Sequence, residues 1–183
     1  MAIGDFSYDH APLQVSQYES DIRILEQMDQ IYFEGGGGGN DFESYTAAWY
    51  FGLRHTKLDC HNRGKKGIII TLGDEPLNPY LPRKPLNENL GSTEQADVDT
   101  DKLYREVCEK FDVYHIAITN NSSYWRYKDE IKNSWGELLG QRLFVAESDD
   151  LPKIVSQIVN DSLSTTYVSS TPFVNITEDG IAW

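Results

Sequence analysis

The sequence predicts an α/β protein built on an open, mostly parallel sheet with helices on both faces. Two observations carry this. Strand-like and helix-like segments alternate along the chain, as they do where helices cross between parallel strands. One strand-like segment, residues 68–72 (Ile-Ile-Ile-Thr-Leu), is an unbroken apolar run of the kind found where a strand is covered on both faces.

Each element follows from local pattern. Ala2-Ile3-Gly4 is a short apolar start that stops at Asp5, and Leu13 and Val15 alternate with polar neighbours as in a second short strand. Ser16 and Glu19 have capping-box spacing and are expected to open a helix carrying Ile22, Leu25, Met28 and Tyr32 on one face. Glycines 35–39 end it, and Asn40-Asp41-Phe42-Glu43 offers the start of an aromatic-rich helix over residues 45–55, with Trp49, Tyr50 and Leu53 in the core. After the 68–72 strand the chain turns at Gly73-Asp74-Glu75-Pro76. Residues 77–98 show no periodicity and read as a long functional or mobile loop. Thr100 is expected to cap a helix with Leu103, Val107 and Phe111 inward. A strand follows over 113–118, a helix over 127–139 with Ile131, Trp135 and Leu138 inward, and a short strand over 143–145. Asp149 is expected to cap a last helix, whose Leu151, Ile154, Val155 and Ile158 form an i, i+3, i+4, i+7 stripe. The expected domain covers residues 1–163, and residues 164–183 read as a tail or an edge strand.

The chain has 183 residues, enough for one domain with a substantial core. Its 29 acidic and 16 basic residues give a formal charge of −13, which repels nucleic acid and anionic lipid and favours a cation as guest. Two cysteines, Cys60 and Cys108, make no disulfide framework and no C-x-x-C spacing. No apolar stretch approaches the roughly 20 residues that span a bilayer, and the N-terminus lacks the basic head and apolar centre of a signal peptide. These features read as a cytoplasmic protein.

In open parallel sheets, ligands gather at the carboxyl ends of the strands. Asp5, Asp74 and Thr119-Asn120 all stand at such ends. The glycine run with Asn40, Asp41 and Ser44 suits a loop that approaches a ligand closely, or a flexible linker between helices; it lacks the Lys-Ser/Thr of a phosphate loop. Asp74-Glu75 suits a hard divalent cation or a solvated charge. His55, Cys60 and His61 have no nearby fourth zinc ligand, Cys108 shares a helix with Tyr104, and His115 stands mid-strand without a nucleophile in its motif. The sequence makes no case for nucleophilic catalysis.

In their order, Ile3-Gly4-Asp5 with Pro12-Leu13-Gln14-Val15, Gly35 to Ser44, Thr71 to Pro76, the 113–119 strand and the ending over 140–159 resemble the von Willebrand factor type A domain, in its intracellular bacterial-type branch. The resemblance covers roughly residues 2–163 and implies a Rossmann-like fold. It also implies a metal-ion-dependent adhesion site for Mg²⁺ or Mn²⁺ and a protein partner bound there. Asp74 matches the acidic residue of the third metal loop; Asn40 stands at the second, with Ser44 as substitute. The first loop, Asp-x-Ser-x-Ser, has no full counterpart. Asp5-Phe6-Ser7-Tyr8-Asp9 approximates it without the last Ser. A better register makes residues 2–5 the family's second strand and 13–15 its third. That register places the first strand and the Asp-x-Ser-x-Ser upstream of Met1, so the expected domain is N-terminally truncated. Its strands at 2–4 and 68–72 would then lack a shared neighbour. The implied site comprises Asp74, Asn40, Ser44 and Asp5, and holds its metal weakly or not at all. The expected function is a non-enzymatic interaction module that binds a protein, with neither nucleic acid nor membrane as partner. The alternative is a metal-assisted hydrolase at the same edge.

Overall fold

The computed structural model describes residues 1–34 and 42–163. In chain order the elements are β1 (Ala2–Ile3), β2 (Leu13–Gln14), α1 (Arg23–Met28), α2 (Thr46–His55), β3 (Gly67–Gly73), β4 (Tyr80–Leu81), α3 (Arg83–Leu90), β5 (Val98–Asp99), α4 (Thr100–Val107), β6 (Phe111–Ile118), α5 (Ser122–Arg126), α6 (Lys128–Leu139), β7 (Leu143–Ala146) and α7 (Leu151–Leu163). The expected tail over 164–183 lies outside the described residues. The chain divides into two compact units, Met1–Lys65 with Leu77–Lys110, and Lys66–Pro76 with the chain from Phe111 onward.

The second unit holds the parallel sheet, in the order β3-β6-β7. Thr71 lies opposite His115, and His115 opposite Leu143. Because successive strand residues point to opposite faces, the two faces of β6 take different partners. Ile116, together with Ala146, packs against Ile154 and Ile158 of α7, with Ile68, Ile70, Tyr114 and Phe144 around them. His115, on the other face, stacks on Trp135 of α6 at 3.7 Å between ring centroids and 5° between planes. Helices therefore cover both faces, and the α/β class expected from the sequence is what the chain forms. Within the run at 68–72, Ile69 and Thr71 are buried, Ile68 and Ile70 are partly covered on the α7 side, and Leu72 is 46% exposed, so the cover its composition predicts is complete on one face only.

The first unit is built around α2 and α4. Trp49 is fully buried, with the Tyr104 ring 5.5 Å away, and Ala47, Leu53, Leu103 and Val107 close the interface. β4 and β5 pair antiparallel, as do β1 and β2. Among the described residues, β1 pairs only with β2 and β3 only with β6, so the strands expected at 2–4 and 68–72 do not pair with each other.

Three stretches differ from expectation. The cap of α4 is Asp99, whose carboxylate accepts from the Lys102 N–H at 2.9 Å, and not Thr100, which is already helical. The helix expected from Ser16 begins at Arg23, because Glu19 does not turn back to cap; its carboxylate takes the Gln27 amide at 2.7 Å and the Arg23 guanidinium at 3.2 Å. Residues 77–98, expected as a loop, contain β4, α3 and β5. Here Pro82 precedes α3 and Pro85 sits in its first turn, where a missing N–H costs nothing. The Asn87 side chain then bonds both the N–H and the C=O of Glu94, at 3.0 Å each, and fixes the return.

Asn78 organises this insertion. Its side chain accepts from the Thr46 N–H, donates to the Thr46 hydroxyl and donates to Tyr80 O at 3.1 Å, while its own carbonyl accepts from the Thr100 hydroxyl at 2.6 Å. Asn78, Thr46 and Thr100 are all buried. Asn78→Ala leaves buried donors and acceptors without partners, so urea unfolding is expected to show a loss of about 2 kcal/mol. A change within 0.5 kcal/mol would mean that water satisfies the network instead.

Candidate functional site

The carboxyl ends of β3, β6 and β7 fall on one edge of the sheet because the strands are parallel. Asp74 follows β3 there, half-buried. Burial raises its pKa above the usual carboxylate value, and a hydrogen bond from Ser123 opposes that rise. The turn carrying it is fixed from below: the Trp135 indole N–H donates to Glu75 O at 3.1 Å. Beyond β6, the Thr119 N–H donates to Ala146 O at 2.9 Å. Asn120 then locks the neighbouring loop, accepting from the Ser148 N–H at 2.8 Å and donating to its hydroxyl at 3.1 Å. Asn121 caps α5 by accepting from the Ser123 N–H at 3.2 Å, which sets Ser123 beside Asp74. Asp74 is thus held at this edge among amides and hydroxyls.

Asp5 and Ser44 meet in the first unit. The Phe6 N–H donates to Ser44 Oγ at 3.0 Å, and the Ser44 N–H to Gly4 O at 3.3 Å. Asp5 is buried in a tight turn, where Oδ1 accepts from the Ser7 N–H at 2.7 Å and its own N–H donates to Asp9 Oδ2 at 2.8 Å. A Cβ at Gly4 would stand 2.1 Å from Asp9 Oδ2, so a larger residue there displaces the carboxylate that accepts from the Asp5 N–H. Asp5 Oδ2 is buried with no hydrogen-bond partner among the described residues. Asn40, named with these residues from the sequence, lies outside the described residues. The bonding of Ser44 to the backbone on either side of Asp5, 39 positions away, has no signal in the sequence.

Mg²⁺ is held by several oxygen ligands with one or two carboxylates among them. Among the described residues, no group of three or more His, Cys, Asp and Glu is arranged to hold a metal ion, His55, Cys60 and His61 included. Asp74 with Ser123 does not make such a cage, and neither does Asp5, whose Oδ1 is already engaged by the Ser7 amide. The pair His115 Nδ1 and Thr71 Oγ1, 2.8 Å apart, has the composition of a base and a hydroxyl, but both are buried inside the sheet. It braces β3 against β6. Among the described residues, no helix is long and apolar enough to cross a membrane.

What these residues define is a mixed α/β protein with a three-stranded parallel sheet flanked by helices. No family model matches the chain, and neither a curated protein nor a solved structure matches it.

Proposed function

We propose that the chain is a protein-interaction module of the von Willebrand factor type A kind, meeting its partner at the carboxyl edge of the β3-β6-β7 sheet. One observation carries the reading: a half-buried carboxylate, Asp74, held by Ser123 on a turn that Trp135 pins. A carboxylate fixed in this way pays little ordering entropy on contact and accepts a hydrogen bond or a cationic group from a partner. The antiparallel pairing of Ala2–Ile3 with Leu13–Gln14 supports the register that makes them the family's second and third strands. On this reading the adhesion-type metal site is degenerate, and Mg²⁺ or Mn²⁺ binds weakly or not at all.

The test couples two measurements. Calorimetric titration with Mg²⁺ and Mn²⁺ is expected to show no binding tighter than millimolar; micromolar affinity lost on Asp74→Ala would overturn the degenerate site. A tagged chain is expected to retain a protein from lysate that Asp74→Lys, with an unchanged melting temperature, retains at least tenfold less. Equal capture by both would overturn the edge as the seat of contact, and turnover of a phosphoester substrate abolished by Asp74→Ala would favour the hydrolase.

A further inference from the structure

β3 stands at the edge of its sheet. One side of the strand pairs with β6, and among the described residues no strand pairs with the other. The strand is seven residues long, holds three consecutive isoleucines and carries neither charge nor proline. An open edge of that kind templates pairing with further chains, and folded proteins cover it. The α7 side of the strand is also unfinished. Ile68 and Ile70 are only partly buried there and Leu72 is 46% exposed, whereas Ile69 and Thr71, which alternate with them, are buried. The opposite edge of the sheet is already blunted, because β7 is only four residues long.

The helices that cover the sheet set the direction from which a further strand arrives. α6 joins β6 to β7 across the face where Trp135 meets His115, and α7 leaves β7 across the opposite face, against Ile116 and Ala146. Crossovers between parallel strands are right-handed in nearly every sheet. A right-handed crossover reverses its direction of travel when its helix changes face. Since α6 carries the chain outward from β6 to β7, α7 carries it back past β6, and the first open position is the outer side of β3. The thirteen residues of α7 span about 20 Å. The helix therefore returns the chain from the carboxyl ends of the strands to their amino ends, where a parallel neighbour of β3 begins.

Residues 164–183 follow α7 and lie outside the described residues. The fourteen from 164 to 177 carry no charge, in a chain of formal charge −13, and seven of them are Val, Ile or Thr, the residues that favour strands. Phe173, Val174 and Ile176 lie in a strand-like run opened by Pro172, which is tolerated at the start of a strand, and closed by Glu178, Asp179 and Gly180. The linker over 164–172 reaches about 30 Å when extended, against a spacing of about 4.8 Å between neighbouring strands. We infer that residues 173–177 pair as a parallel strand with the outer side of β3 and make the sheet four-stranded. The inference rests on the topology of the sheet and holds whether or not its carboxyl edge meets a partner.

The test combines amide hydrogen exchange on the full chain, read by ¹⁵N NMR, with nuclear Overhauser contacts across the edge. The comparison variant is the Val174→Pro, Asn175→Pro pair. It removes two successive N–H groups, one of which faces β3 in a strand pair. The outer amides of β3 are expected to exchange at least tenfold faster in this variant than in the parent, while those of β7 do not change. Ser169→Pro, in the linker, should leave both strands as they are. Contacts from residues 173–177 to 68–72 are expected in parallel order. Outer β3 amides that exchange freely in the parent would overturn the proposal and leave that edge to a strand of another protein. Contacts to β7 instead of β3 would overturn the crossover. Contacts found only between differently labelled copies, with a dimer in sedimentation, would make a second copy the source of the strand and overturn pairing within one chain.

Discussion

Replacing Trp135 with alanine is expected to cost about 3–5 kcal/mol in urea unfolding followed by circular dichroism. The residue is completely buried on α6 and performs two tasks. Its ring covers His115 face to face at 3.7 Å, closing one side of the parallel sheet, and its N–H holds Glu75 O at 3.1 Å. Alanine removes the apolar body, leaves a cavity over β6 and strands a backbone acceptor. Trp135→Phe separates the tasks. It keeps most of the covering ring and loses the N–H, so the expected cost falls to about 1–2 kcal/mol. The turn at Gly73-Asp74-Glu75 should then exchange its amide hydrogens faster than in the parent, because its anchor is gone. A loss under 1 kcal/mol for the alanine variant would mean that α6 does not close the sheet as described.

The same residue marks how far the sequence could be read. The unbroken run at 68–72 and the stripe Leu151, Ile154, Val155, Ile158 are periodic signals over enough residues to decide their elements, and β3 and α7 form there. Trp135 was legible as an inward residue of its helix. Its bond to Glu75 was not, because a contact across 60 positions leaves no local trace. Local patterns misled where a tertiary partner competed for the same atoms. Ser16 and Glu19 have the spacing of a cap, yet Glu19 serves Gln27 and Arg23. In residues 77–98, side chains such as Asn78 and Asn87 replace periodicity as the organising device, so a pattern search sees only prolines and asparagines.

The candidate site divides in the same way. Asp74 could be nominated from its place after an apolar strand, since parallel strands deliver their carboxyl ends to one edge. Ser123, which holds it, could not, because the turn that carries Ser123 is set by the Asn121 cap and the end of β6. Asp5 and Ser44, named through the resemblance, stand in one turn region, where Ser44 is a backbone brace: its oxygen receives the Phe6 N–H and its N–H meets Gly4 O. That leaves the metal reading of this pair resting on Asp5 Oδ2 alone.

His115 is the residue for which register alone made the difference. In sequence it is a lone histidine in a strand; in the sheet it lies opposite Thr71, whose hydroxyl meets Nδ1 at 2.8 Å. Burial holds its pKa down to about 3 from the ordinary 6.5. Between those values the unfolded chain takes up a proton at this position and the native chain does not. The neutral ring's contribution is therefore present in full above pH 6.5 and is lost as the pH falls toward 3. At about 1.4 kcal/mol per pH unit, acidification from pH 7 to pH 4 should cost about 3 kcal/mol through this residue. Asp74 acts in the opposite direction, since its raised pKa lets the native state take up a proton more readily than the unfolded one. A single stability curve mixes the two. The difference between the parent and His115→Gln isolates the histidine, because glutamine keeps a polar group near Thr71 and does not titrate. Urea unfolding at pH 7, 6, 5 and 4 should show the parent losing its advantage over the variant by about 3 kcal/mol across the series. In ¹⁵N spectra, the His115 ring should keep the shifts of a neutral imidazole at pH 5. Parallel stability curves together with a titrating ring would show that the histidine reaches water, and that the β3-β6 face under Trp135 is not closed.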